Sequence, residues 1–303
     1  MTGSSSRAQW LTDALVSPPG DEVSSTDLAR LRAELGRDLQ ALSADLPVGE
    51  RLQVDAFKVL VAHRHPDRCM ANDDTFLPSP RLCRRALGVA AVNRCVRGLA
   101  PGPAVAVADV LAGGLEDVSD EAPPGVRAPW WAQWYAELPP GGRAVVVAEA
   151  VTWATQLLTA LDWPRLPRLP LIGGRDDWWQ CPGGAPLSLK GRAEVRALVQ
   201  RRPGLLVVGS GRCQPDWRTE LGFPGLVAAL VRDAQSAPCR VVGVWPQSGQ
   251  VRILPLDISM LRATATAVVA AVATWVDGRI EAQRSAVSED RGALARSGRA
   301  VDA

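Results

Sequence analysis

The stretch GLLVVGSGRCQPDWR, from Gly204 to Arg218, runs from a buried-strand pattern through a glycine turn into a helix start. In α/β proteins that is where reactive side chains are displayed. Gly209, Ser210 and Gly211 supply no charge there, and GSGR has neither the glycine spacing and Lys-Ser/Thr pair of a phosphate loop nor the dinucleotide pattern. The segment reads as a tight turn after a strand. HRHPDRC places His63, His65 and Cys69 within seven residues. Structural zinc needs a fourth ligand at regular spacing, and Cys83 and Cys95 belong to no paired motif, so the segment reads as a helix-terminal loop. His63 and His65 are also the only histidines. With no Gly-x-Ser-x-Gly elbow, a Ser/His/Asp hydrolase has no support. Eleven tryptophans stand against one tyrosine and three phenylalanines, with pairs at Trp130/Trp131 and Trp178/Trp179. Most fit a core. In DDWWQC, however, a strand sends neighbours to opposite faces, so one of Trp178 and Trp179 faces outward. Arg81, Arg84, Arg85 and Arg94 fall near one side of a helix and read as a solvated face, with phosphate contact as the functional alternative.

The 303 residues are 47% apolar and 22% charged, with 34 basic against 32 acidic side chains. That is a globular composition with no polybasic signal. Six cysteines lack CxxC spacing and the first twenty residues lack an apolar signal core, which implies reduced thiols in a cytoplasm. Apolar runs such as ATAVVAAVATWV fall short of the roughly 18 to 20 residues that cross a bilayer, so no membrane span is expected. Abundant Ala, Arg, Val and Gly with two lysines suggest a GC-rich, bacterial genome.

The elements that position these residues divide the chain into a loose N-terminus (1–23), a helical region (24–125), an α/β core (126–284) and a loose tail (285–303). In the helical region, Leu28, Leu31, Leu35, Leu39 and Leu42 recur at steps of three or four after a Ser/Thr/Asp cap. GERLQVDAFKVLVAHRH reads as a second helix, and SPRLCRRALGVAAVNRCVRGL and VAVADVLAGGLEDV as two more. The core opens with a helix at 141–161. Short strands follow in RLPLIGG, DDWWQC, LSLKGRAEVRALV and GLLVVGS, then a helix from Trp217 to about Ala234. CRVVGVWP and QVRILPLD form a strand pair, and a helix from Ser259 to about Gln283 closes the order α-β-β-β-α-β-β-α.

That order, with particular residues inside it, resembles the PD-(D/E)XK nuclease superfamily over residues 143–275, most closely its RecB-like branch. GRAEVRALV matches the strand carrying a glycine and, three positions later, an acid: Gly191 and Glu194. LLVVGSGRC matches the next strand and puts Gly209 in the place of the aspartate and Gly211 in the place of the lysine. In RTELGFPGLVAALV, Glu220 stands at the Gln position and Pro224 at the Tyr position. Glu149 corresponds to the acid that some members carry on their first helix. The resemblance implies a mixed sheet flanked by helices and, in active members, carboxylates converging on Mg²⁺ beside a lysine. Gly209 and Gly211 supply neither. Arg212 sits beside the lysine slot, but arginine is a poor base.

The sequence therefore points to an α/β protein with a degenerate nuclease core, a pseudoenzyme in which Glu149 and Glu194 leave at most a weak metal site. DNA contact is expected through Lys190, Arg192, Arg212 and Arg218, or else scaffolding of a protein partner, in a repair, recombination or defence assembly. The alternatives are a metal-dependent nuclease using Glu149, Glu194 and a displaced acid such as Asp216, and a protein-interaction module without nucleic acid.

Overall fold

The computed structural model describes residues 3–17, 23–46, 48–70, 80–116, 129–166, 176–199, 202–209, 212–245 and 248–298. The chain is mixed α/β. Its strands form a three-stranded sheet and a four-stranded sheet. The larger sheet has the order β4 (Val195–Val199), β5 (Arg202–Val208), β6 (Arg240–Trp245), β7 (Gln250–Pro255). Its β4/β5 and β6/β7 pairs are antiparallel, while β5 and β6 run parallel, connected through helix α8 (Trp217–Leu230).

Because alternate residues of a strand face opposite ways, GLLVV feeds two cores at once, and every residue of β5 is buried. Leu205 and Val207 point into one core with Val241, Trp245, Leu254 and the apolar face of α8. Leu206 and Val208 point into the other with Val195, Ala197, Val242 and Val244. The first core is closed by α2 (Ser25–Ser43), α3 (Ala56–Arg64), α9 (Ile258–Gly298) and the small sheet; the second by α1 (Gly3–Val16), α4 (Pro80–Val96), α5 (Pro103–Glu116), α6 (Trp130–Glu137) and α7 (Pro140–Ala160). The large sheet is thus sandwiched between two helical layers.

Several expectations need correction. Residues 3–16 are not loose. They form α1, which places Leu11 and Leu15 in the second core and accepts the Arg240 guanidinium on the carbonyl of Ala14 at 2.8 Å. Leu52–Asp55, expected as part of a helix, is strand β1, parallel to β3 (Leu187–Gly191), with β2 (Asp177–Gln180) antiparallel on the other side of β3. Leu52 and Val54 face inward and Gln53 outward; the edge of β3 selects this alternation, and the Asp55 side chain then caps α3 by accepting from the Lys58 amide. The expected boundary near residue 125 is crossed by that pairing and by the second core. LSLKGRAEVRALV is two strands, β3 and β4, because the chain changes sheets at 192–194. Gly191 allows this: a Cβ there would lie 2.7 Å from Cβ of Val227 on α8. The tail beyond 284 continues α9 to Gly298.

The stretch Ile258–Ser285 of α9 is, contrary to the expectation of runs too short, long and apolar enough by length and composition to cross a membrane. Here Leu261, Ala265, Val268, Val272 and Val276 line one face of it and pack into the first core. RLPLIGG lies wholly outside the described residues, as do Ser210 and Gly211. The expected strands at β2, β5, β6 and β7, the helices α2, α4 and α5, and the outward Trp178 beside inward Trp179 (50% and 8% exposed) are all found.

Candidate functional site

At the carboxyl end of β5 the two candidate acids meet one helix. Glu194 precedes β4, and its amide donates to the Leu206 carbonyl at 2.8 Å. Its carboxylate then extends the ladder, as Oε2 accepts the amide of Val208 at 2.8 Å. Its other oxygen is paired with the Arg85 guanidinium from α4, and the side chain is wholly buried. The more exposed Arg192 stands off at 4.0 Å. One residue earlier on α4, Arg84 pairs with Glu149 of α7 at 3.2 Å. Glu149 and Glu194 are thus brought to consecutive residues of the same helix, each held by its own arginine.

Residues 84 and 85 were expected on a solvated face. Both are instead half-buried, because α7 and the start of β4 lie against them and offer Glu149 and Glu194, while Cys83, fully buried, packs with Leu87, Ala91 and Val92 in the second core on another face of the helix. Burial also pushes the Cys83 thiol up to about 11, so it is protonated and inert at neutral pH. Arg81 has no described side chain.

Gly209, the position that the resemblance matches to an aspartate, donates its amide to the Val244 carbonyl at 2.8 Å and is buried. The indole of Trp245, 1% exposed, lies directly over it: a Cβ at 209 would be 2.1 Å from the indole Nε1. Sequence reasoning read Gly209 as a turn residue and did not find Trp245, because the contact joins neighbouring parallel strands.

These residues do not fit a divalent ion. Both Glu194 oxygens are engaged by cationic or amide donors, the next strand offers glycine and an indole, and among the described residues no group of three His, Cys, Asp or Glu side chains is placed to hold a metal. Asp216, the displaced acid of the alternative reading, instead pairs with Arg64 at the end of α3. Burial alone would raise its carboxyl, but the hydrogen bond and charge of Arg64 outweigh that and hold it below the ordinary value.

Of the proposed DNA-contacting residues, Arg212 and Arg218 are exposed, and the Arg218 guanidinium lies over Trp217, 5.4 Å from the ring centre. Arg192 is 43% exposed. Lys190 is ion-paired to Asp176 at 3.0 Å and covers the outward Trp178 at 4.9 Å. His63 and His65 are exposed while Cys69 is buried in the first core, so HRHPDRC does not converge on one point.

No protein-family model matches the chain, and no characterised protein or solved structure matches it significantly.

Proposed function

We propose that the chain is a non-catalytic relative of the PD-(D/E)XK nucleases, a cytoplasmic DNA-binding or scaffolding component of a repair, recombination or defence assembly. The run α7, β4, β5, α8, β6, β7, α9 supports this reading, while β2 and β3, which the resemblance puts in the same sheet, pair with β1 in the smaller one. So does the strand arrangement, an antiparallel β4/β5 pair followed through a helix by a parallel β6. Six free cysteines accord with a reducing compartment.

One observation carries the loss of catalysis: the position of the metal is filled. Arg85 supplies the positive charge that Glu194 would otherwise seek from Mg²⁺, and the Trp245 indole occupies the space of the missing aspartate. A guanidinium balances a carboxylate, but it activates no water at neutral pH.

Incubation of the purified protein with single- and double-stranded DNA in Mg²⁺ or Mn²⁺ is expected to leave both intact. Metal-dependent cleavage that disappears in Glu194→Ala would overturn the reading. Gly209→Asp, which restores the family acid, is expected to melt well below the parent and to gain no cleavage. The new Cβ collides with the Trp245 ring, an overpacking that costs about 1–3 kcal/mol or more, before the added cost of a buried charge.

A further inference from the structure

Strands β5 and β6 run parallel, so their carboxyl ends open at the same end of the large sheet. The register Val195↔Leu206 brings the start of β4 to this end, and Trp245↔Gln250 brings the start of β7 there. Arginines stand along the whole row. Arg192 precedes β4, Arg212 follows β5, Arg218 lies in the first turn of α8 and Arg252 is exposed on β7. The Gln250 side chain fixes the two loops together by accepting the Cys213 amide at 2.9 Å. From the opposite helical layer, the exposed Arg7 of α1 donates to the Gly249 carbonyl in the β6–β7 turn. Of the acids here, Asp216 is already paired with Arg64, and it and Glu220 lie within electrostatic reach of Cys213, as Arg252 does.

The spacing selects the kind of polyanion. Arg192 at β4 and Arg252 at β7 are separated by three strand intervals, roughly 14 Å, close to the roughly 12 Å width of the DNA major groove between its phosphate walls. Proteins that hold single strands offer aromatic faces to the bases. Here Trp245 is buried, Trp217 is half-buried with Arg218 over its ring, and the exposed Trp10, one turn along α1 from Arg7, is a single ring rather than a series of stacking faces; the loop residues outside the described set, Ser210, Gly211, Pro246 and Gln247, add no aromatic ring. We infer that Arg7, Arg192, Arg212, Arg218 and Arg252 form a duplex-DNA surface that grips phosphates on both sides of a groove without reading sequence. This inference rests on the DNA-binding form of the function proposed above.

The test is fluorescence anisotropy of the full chain with a labelled duplex of about 20 base pairs and with its single strand, over a salt range that spans the Debye-screening regime. The parent is expected to prefer duplex and to show the same affinity for unrelated sequences. Arg212→Glu/Arg252→Glu is expected to bind at least tenfold more weakly. Each lost phosphate contact flattens the log-log salt slope by about 0.9, so the double variant loses roughly two units. Arg30→Glu/Arg37→Glu, exposed on α2 in the layer beyond the first core, is the charge-matched control and should bind like the parent. All four sites are exposed, and thermal melts verify that the variants are folded. Absence of parent binding, preference for the single strand, or equal losses in the two double variants overturns the surface. Cleavage by the parent that coincides with binding loss in Arg212→Glu/Arg252→Glu overturns the non-catalytic reading and leaves the surface standing.

Discussion

Arg85 and Glu194 show how a single pair can decide what a site does. The carboxylate is fully buried and the guanidinium 30% exposed, so removal of the cation leaves a buried charge with the Val208 amide and only the more distant, more exposed Arg192 at 4.0 Å. Breaking such a pair from one side costs about 3–5 kcal/mol. Arg85→Ala is therefore expected to lower the urea midpoint severely. Adding Glu194→Gln should recover much of the loss, since a neutral amide still accepts from Val208 without needing a counter-ion. If Arg85→Ala unfolds at the parent's midpoint, or if Glu194→Gln gives no recovery, the pair is not the structural substitute described here. What was legible at this scale was the identity of the acids: Glu149 and Glu194 do meet a common helix. Their partners were not legible, because Arg84 and Arg85 lie about 65 and 109 positions away in sequence, and no local spacing reports such a distance.

Elements were read well wherever one face alone is buried. Helix α2 follows its leucine steps, and β2 splits Trp178 from Trp179. They were read poorly where tertiary pairing overrules a short pattern. Leu52–Asp55 carries too few residues to distinguish helix from strand until β3 lies beside it, and the change of sheets at 192–194 is invisible in a continuous alternation. The junction of α3 and α8 gives a prediction at this scale. Arg64 and Asp216 tie the end of one helix to the start of the other, and the folded carboxyl titrates below its unfolded value of about 3.9. The pair's contribution is thus complete above that value and is lost as pH falls through the lower, folded one. Asp216→Asn should be less stable than the parent at neutral pH by about 0.5–1 kcal/mol, the range for a partly exposed pair. The gap should narrow as pH falls below the unfolded value of about 3.9; a gap that persists unchanged in acid would mean that the pair is not its source.

At the scale of the whole molecule, the first helix is a structural wall. Leu11 and Leu15 are 2% and 0% exposed, and the Thr12 hydroxyl accepts the amide of Asp162 at 2.8 Å. Deleting residues 1–17 should therefore uncover the Leu206–Val242 face and cost about 3–6 kcal/mol from the two leucines alone. This is measurable as a lowered denaturation midpoint or as aggregation, and an unchanged midpoint would show α1 to be dispensable. The closing of the small sheet has a consequence in time. Strand β1 ends at Asp55, but its partner β3 begins at Leu187. A ribosome adding 5–20 residues each second leaves β1 without that partner for roughly 7 to 26 s. Throughout that interval Leu52, Val54 and the apolar side of α2 have no sheet to cover them, so the nascent chain is a natural client for a holding chaperone long before either sheet is complete.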